Sequence, residues 1–114
     1  MEKYIAILKT YVDILQFLHW NMAKDYANHL LMERLMNDVG DLLDRFVEVS
    51  MGAKNITNIS YEEFKKLKFD NLSLVDFIKY AKGEFNGLLM ESGETVQNVI
   101  VDILEMFDRH LYLL

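Results

Sequence analysis

Residues 26–52 read YANHLLMERLMNDVGDLLDRFVEVSMG. Leu31, Leu35, Val39, Leu42, Leu43, Phe46 and Val49 recur at three- and four-residue spacing, the mark of one apolar helix face. Asp25 stands where its carboxylate can cap the first turn, and Gly52 is a C-terminal stop. The rest of the circumference is polar. A long helix with one apolar stripe must bury that stripe against other helices, so this stretch predicts an all-α bundle.

The flanking sequence agrees. Residues 2–22 place Tyr4, Leu8, Tyr11, Val12, Leu15, Leu18, His19 and Met22 at helical spacing, and Ile5, Ile7, Ile14 and Phe17 widen the stripe. That breadth predicts contact with a second surface besides the helix's own bundle. Residues 74–91 carry Val75, Ile78, Ala81, Phe85, Leu88 and Leu89 inward and end at Ser92-Gly93. Residues 94–114 carry Val96, Val99, Ile100, Ile103, Leu104, Phe107, Leu111 and Leu114 on one stripe. Between the second and third long helices, Ser60 followed by Glu63 matches a capping box, so residues 61–67 read as a short helix and 70–73 as a second break. The order is two long helices, a connector long enough to run along the bundle, and two more long helices. This describes one domain over residues 1–114 with a crossover between the second and third long helices.

Composition narrows the function. No proline interrupts the helices, and 52% hydrophobic residues rule against disorder. Without cysteine there is no disulfide framework, thiolate metal site or thiol nucleophile. The net charge of -6 disfavours nucleic acid. No apolar run is long enough to span a bilayer and no signal peptide is visible, so the expected location is the cytoplasm. Glu-x-x-His, His-Glu-x-x-His, a phosphate-binding glycine loop and Gly-x-Ser-x-Gly are all absent.

The polar side of residues 26–52 holds the chemistry. At about 100° per residue, with His29 at zero, Glu33, Asp44 and Glu48 fall at about 40°, 60° and 100°. All four share one side, His29 and Glu33 a turn apart and Asp44 and Glu48 a turn apart. Roughly 16 Å of helix separates the two pairs, too far for one ion within one chain. A second copy lying antiparallel closes the gap. A two-fold axis between residues 38 and 39 sets residue i opposite residue 77 − i, so that His29 faces Glu48 of the second copy and Glu33 faces its Asp44. Two equal sites result, roughly 22 Å apart. Gly40 sits beside that axis, where it would permit close approach. The plainer alternative is a wet acidic face with a tolerated glycine. His19, on the first helix's stripe, can join the set. Imidazole and carboxylate together suit iron or zinc. His110, on the last stripe, reads as structural.

These residues resemble the Dps-type mini-ferritins of the ferritin-like superfamily. His19-Trp20-Asn21 is similar to the family's His-Trp-Asn, and His29, Glu33, Asp44 and Glu48 follow its ligand spacing. Gly93-Glu94-Thr95 and Asp108-Arg109-His110-Leu111-Tyr112 are similar to the two ends of its last helix. The His19–His29 link is shorter than the family's, and Val49 stands where the family carries arginine. The resemblance implies a ferritin-like four-helix bundle with a short helix in the crossover, assembled at least as a two-fold dimer and in the family as a dodecameric cage. It implies ferrous iron oxidised by peroxide or oxygen and stored as ferric mineral. The ligands would be His19, His29 and Glu33 of one subunit with Asp44 and Glu48 of its mate, and Trp20 would be a redox neighbour. DNA binding is not expected without a basic tail. The competing expectation is a ferritin-like oligomer with a structural or partner-binding role and no ferroxidase activity.

Overall fold

A computed structural model describes residues 1–59 and 73–114 of the chain. The capping box at Ser60, the short helix at 61–67 and the break at 70–72 lie outside those residues.

Four helices account for nearly all the described chain: α1, Glu2–Trp20; α2, Tyr26–Lys54; α3, Leu74–Glu91; and α4, Glu94–Leu113. Local chemistry explains their ends. At the start of α2 the Asp25 carboxylate accepts the Asn28 amide, as the sequence predicts. At the start of α3 the Ser73 hydroxyl accepts the Asp76 amide. Two ends differ from the sequence reading. The first helix stops at Trp20 rather than residue 22, because the chain turns over residues 21–24 to reach the Asp25 cap. The second helix runs through Gly52 to Lys54. Asn55 rather than Gly52 takes the left-handed conformation, with φ 54° and ψ 43°. The Ile56 amide then donates to the Met51 carbonyl and the Asn55 amide to the Gly52 carbonyl, satisfying the last turn. Asparagine tolerates this conformation better than other side-chain-bearing residues, so glycine is not required there.

Helix α1 packs against α2 and α3, and α4 packs against α2 and α3. Among the described residues α1 and α4 are diagonal, as are α2 and α3, and these pairs meet only through side chains reaching across the core. Every neighbouring pair is antiparallel. Lys3 pairs with Glu84 while Tyr11 stacks on Phe77; Arg45 pairs with Asp102 while Asp38 meets His110. It follows that the diagonal pair α2 and α3 run the same way. The end of α2 and the start of α3 therefore lie at opposite ends of the bundle.

One core fills the centre. Leu8, Tyr11 and Leu15 of α1, Leu35, Val39 and Phe46 of α2, Phe77, Ile78, Ala81 and Phe85 of α3, and Ile100, Ile103 and Phe107 of α4 are buried. Each such large apolar side chain contributes about 1.5–3 kcal/mol on burial. Aromatic rings organise it: Tyr11 lies parallel to Phe77 at 5.6 Å and tilted against Phe107 at 5.5 Å, and Phe46 meets Phe85 edge-on. Phe17, assigned to the widened stripe of α1, is 61% exposed, as are Trp20, Tyr26 and Leu30 to 58%, 72% and 42%. These four sit at the α1–α2 turn and leave an apolar margin on that end of the molecule. Among the described residues no helix is long and apolar enough to cross a membrane.

Candidate metal centre

The turn between α1 and α2 brings His19 and His29 together. Met22 N–H donates to the His19 carbonyl, Asp25 N–H to Met22 and His29 N–H to Asp25, so the chain reverses within a few residues. The two imidazoles then stack, with centroids 3.8 Å apart and planes 23° from parallel. The hydrogen bonds are reciprocal. His19 Nδ1 lies 3.0 Å from the His29 carbonyl oxygen, and His29 Nδ1 lies 2.8 Å from the His19 carbonyl oxygen.

A carbonyl oxygen only accepts, so each Nδ1 carries the proton and donates. In the neutral ring this leaves each Nε2 with a bare lone pair. Metal-bound histidines are prepared in the same way, one nitrogen donating to a fixed oxygen while the other is free to ligate. Both rings are half-buried, which fixes their place without sealing them from solvent.

The acids of α2 are differently placed. Glu33, Asp44 and Glu48 are all exposed, and none makes a hydrogen bond or ion pair within the described residues. Arg45, the basic residue between Asp44 and Glu48, is turned away to Asp102 of α4. Helix rise keeps His29 and Glu48 apart within one chain, and no group of three or more His, Cys, Asp or Glu side chains gathers among the described residues. The structure thus brings His19 to His29. It does not bring either imidazole to Asp44 or Glu48, and His19, His29 and Glu33 do not form a cluster on their own. Gly40 is half-buried, and a Cβ added to it would meet nothing within 4 Å. Among the described residues nothing gives this glycine a packing reason. Trp20 stands beside the histidine pair in sequence and touches Phe17 edge-on at 5.4 Å.

A second polar constellation was not legible as a unit. His110, fully buried on α4, links two other helices. Its Nδ1 lies 2.7 Å from the hydroxyl of Tyr11 on α1, and its Nε2 lies 3.2 Å from a carboxylate oxygen of Asp38 on α2. Burial holds the imidazole below its ordinary range, against the opposing pull of Asp38. The ring is therefore neutral near pH 7. Nε2–H donates to Asp38, and the Tyr11 hydroxyl donates to Nδ1. Burial, and secondly the charge on Asp38, pushes the Tyr11 phenol above its ordinary range. The expectation of a structural histidine agrees with this. Its partners were hidden because α1 and α4 are diagonal. The available signal was a tyrosine and a histidine on two buried stripes with an acid next to buried Val39.

Fold and site together define a class: an antiparallel four-helix bundle with a clasped histidine pair at the turn between its first and second helices. The chain belongs to a family of unknown function (DUF5856), whose model matches residues 19–114. It is similar to an uncharacterized 14.6 kDa protein in the mobD-ri intergenic region of Enterobacteria phage T4, at 27% identity over 99% of this chain and 86% of the phage protein. No solved structure matches the chain.

Proposed function

We propose that this protein is a ferritin-like bundle of the Dps type, acting in the cytoplasm, that binds and oxidises ferrous iron between two copies of its second helix. One observation carries the reading. Two clasped imidazoles, His19 at the end of α1 and His29 on α2, keep Nε2 clear of their Nδ1 hydrogen bonds, and three exposed carboxylates, unpaired among the described residues, follow His29 on one side of α2. His19, His29 and Glu33 of one protomer would bind iron with Asp44 and Glu48 of the other.

The helix arrangement supports it. All neighbouring helices are antiparallel and α2 runs with α3, the order that a ferritin-like crossover produces. The empty space over Gly40 and the exposed Tyr26 and Leu30 give α2 a surface suited to a second helix. In the chemistry, hydrogen peroxide takes one electron from each of two ferrous ions and leaves as hydroxide. The carboxylates favour the product, because anionic oxygen ligands bind the higher-charged ferric ion more strongly. Hydrolysis of ferric ion would give a mineral where the assembly encloses a cavity.

The reciprocal Nδ1 hydrogen bonds favour a second reading, a structural oligomer in which His19 and His29 merely clasp the α1–α2 turn. Anaerobic ferrous titration followed by peroxide, read by ultraviolet absorbance, separates the two. The iron reading expects saturable binding and oxidation faster than in buffer, both lost in His29→Ala. Buffer-like oxidation by the wild-type protein would leave the structural reading standing. Zinc binding without turnover would mark a redox-silent metal site.

A further inference from the structure

The Tyr11–His110–Asp38 constellation plays no part in the iron site proposed above, yet it joins three of the four helices through polar groups in the middle of the core. We propose that Tyr11 is a redox-active tyrosine whose proton is taken up by His110, with Asp38 holding the resulting imidazolium. The inference rests on the iron reading only for the natural source of its oxidant.

The argument starts from the phenol. Removing an electron from tyrosine makes its O–H strongly acidic, so oxidation is easy only where a base already holds that proton. Tyr11 is fully buried, and its ring is enclosed by Phe77, Phe107 and His110. Water cannot take the proton. Among the described residues the only base in reach is His110 Nδ1, and it is already hydrogen-bonded to the hydroxyl at 2.7 Å. The proton need only cross an existing bond.

The imidazolium that forms is itself buried, and an unpaired buried cation would be costly. Asp38 answers this. It accepts from Nε2–H, fixes the tautomer that leaves Nδ1 basic, and places a carboxylate against the new charge, the role of the orienting third group beside a general base. The Asp38 side chain is itself 36% exposed and opens on a surface cleft lined by Asp41, Asp102, Glu105 and Arg109.

The step balances as follows. A one-electron oxidant of the ferryl or hydroxyl-radical class, which ferrous iron and peroxide can generate, takes one electron from Tyr11. The phenolic proton passes to His110 Nδ1, leaving a neutral tyrosyl radical beside imidazolium. A ferrous ion then returns an electron and becomes ferric, and His110 returns the proton. One strong oxidant is thereby spent on one ferrous ion rather than on the chain. Tyr11 lies two turns before His19 on α1, roughly 12 Å by helix rise, close to the proposed iron site but shielded from solvent.

The test needs no iron, so its failure leaves the iron reading untouched. Iron-free protein is oxidised with a flash-generated ruthenium(III) tris-bipyridine complex and followed by transient absorbance and freeze-quench EPR in light and heavy water. Wild-type protein should give a long-lived neutral tyrosyl radical hydrogen-bonded to an exchangeable proton. Tyr11→Phe should abolish that long-lived signal and leave the short-lived radicals of exposed side chains such as Trp20, Tyr26 and Tyr112. His110→Gln, which keeps a hydrogen-bonding side chain and whose fold is checked by circular dichroism, should slow formation by roughly a hundredfold, the lower end of what a positioned proton acceptor contributes. Asp38→Asn should slow it less. The proposal is overturned if the long-lived radical survives in Tyr11→Phe, if it never forms in wild type, or if folded His110→Gln forms it at the wild-type rate.

Discussion

Replacing Tyr11 by phenylalanine removes one oxygen atom from the bundle and leaves the ring between Phe77 and Phe107. The cost exceeds the net worth of an ordinary hydrogen bond, about 1 kcal/mol. His110 is fully buried and cannot turn to water. With the hydroxyl gone, Nδ1 keeps a lone pair and no donor. A change of tautomer would leave Nδ1–H without an acceptor and turn the Nε2 lone pair onto the Asp38 carboxylate. Either way a buried polar atom is unsatisfied, at about 1–3 kcal/mol. A mid-range loss of about 2 kcal/mol lowers the melting temperature by roughly 8 °C in a chain of this size. His110→Leu alone strands the Tyr11 hydroxyl instead. The double variant strands neither, since Asp38 is partly exposed and can bond to water. The double-mutant cycle should therefore show a coupling of about 1–2 kcal/mol. Urea unfolding at one fixed protein concentration measures all four proteins on the same footing, because self-association would otherwise move the midpoint. A Tyr11→Phe variant within about 0.5 kcal/mol of wild type, or an additive cycle, would refute the reasoning.

Acidification should destabilise the fold through His110. The unfolded imidazole takes its proton near 6.5 and the buried one only at lower pH, so the unfolded chain binds more protons in between and stability falls as pH drops below about 6.5. Tyr11 acts at the other extreme: unfolded, it ionises near 10 before the buried phenol does, so stability falls again as pH rises past about 10. Melting temperatures across pH, subtracted from those of His110→Gln and of Tyr11→Phe, isolate the two limbs; an acid limb that rises on acidification would contradict the assignment. At the end of α2, Asn55→Ala should cost about 1 kcal/mol and Asn55→Gly almost nothing, because only the left-handed backbone is at issue. Gly40→Leu should leave the isolated protomer at least as stable, since among the described residues an added Cβ meets nothing within 4 Å and glycine is a poor helix former. It should also lower the solution mass by breaking the α2–α2 contact, which light scattering reads.

The bundle was legible because its signals are local. Apolar residues every three or four positions, the Asp25 cap and the Ser92-Gly93 break require no knowledge of neighbours. The overrun of α2 past Gly52 shows the limit: a glycine permits a left-handed stop but does not impose one, and Asn55 offered another three residues on. Pairing between helices was less legible. Tyr11 and His110 lie on stripes that read as uniformly core, and only the three-dimensional order of helices brings one to the other and both to Asp38. Helical geometry placed His29, Glu33, Asp44 and Glu48 on one face of α2 and separated them along it. The stacked clasp of His19 on His29 was not foreseen, because it depends on a tight turn whose shape the residue types do not dictate.

Because each proposed iron site takes imidazoles from one protomer and acids from the other, complementation tests the account most directly. His29→Ala and Glu48→Gln are each expected to abolish peroxide-driven ferrous oxidation. When the two variants are dissociated together and reassembled, every mixed dimer should regain one intact site, built from His29 of the Glu48→Gln chain and Glu48 of the His29→Ala chain. Recovered oxidation that scales with the fraction of mixed dimer is the predicted result. A mixture that stays as inactive as its parts, in protein shown by mass to be mixed, would contradict the shared site.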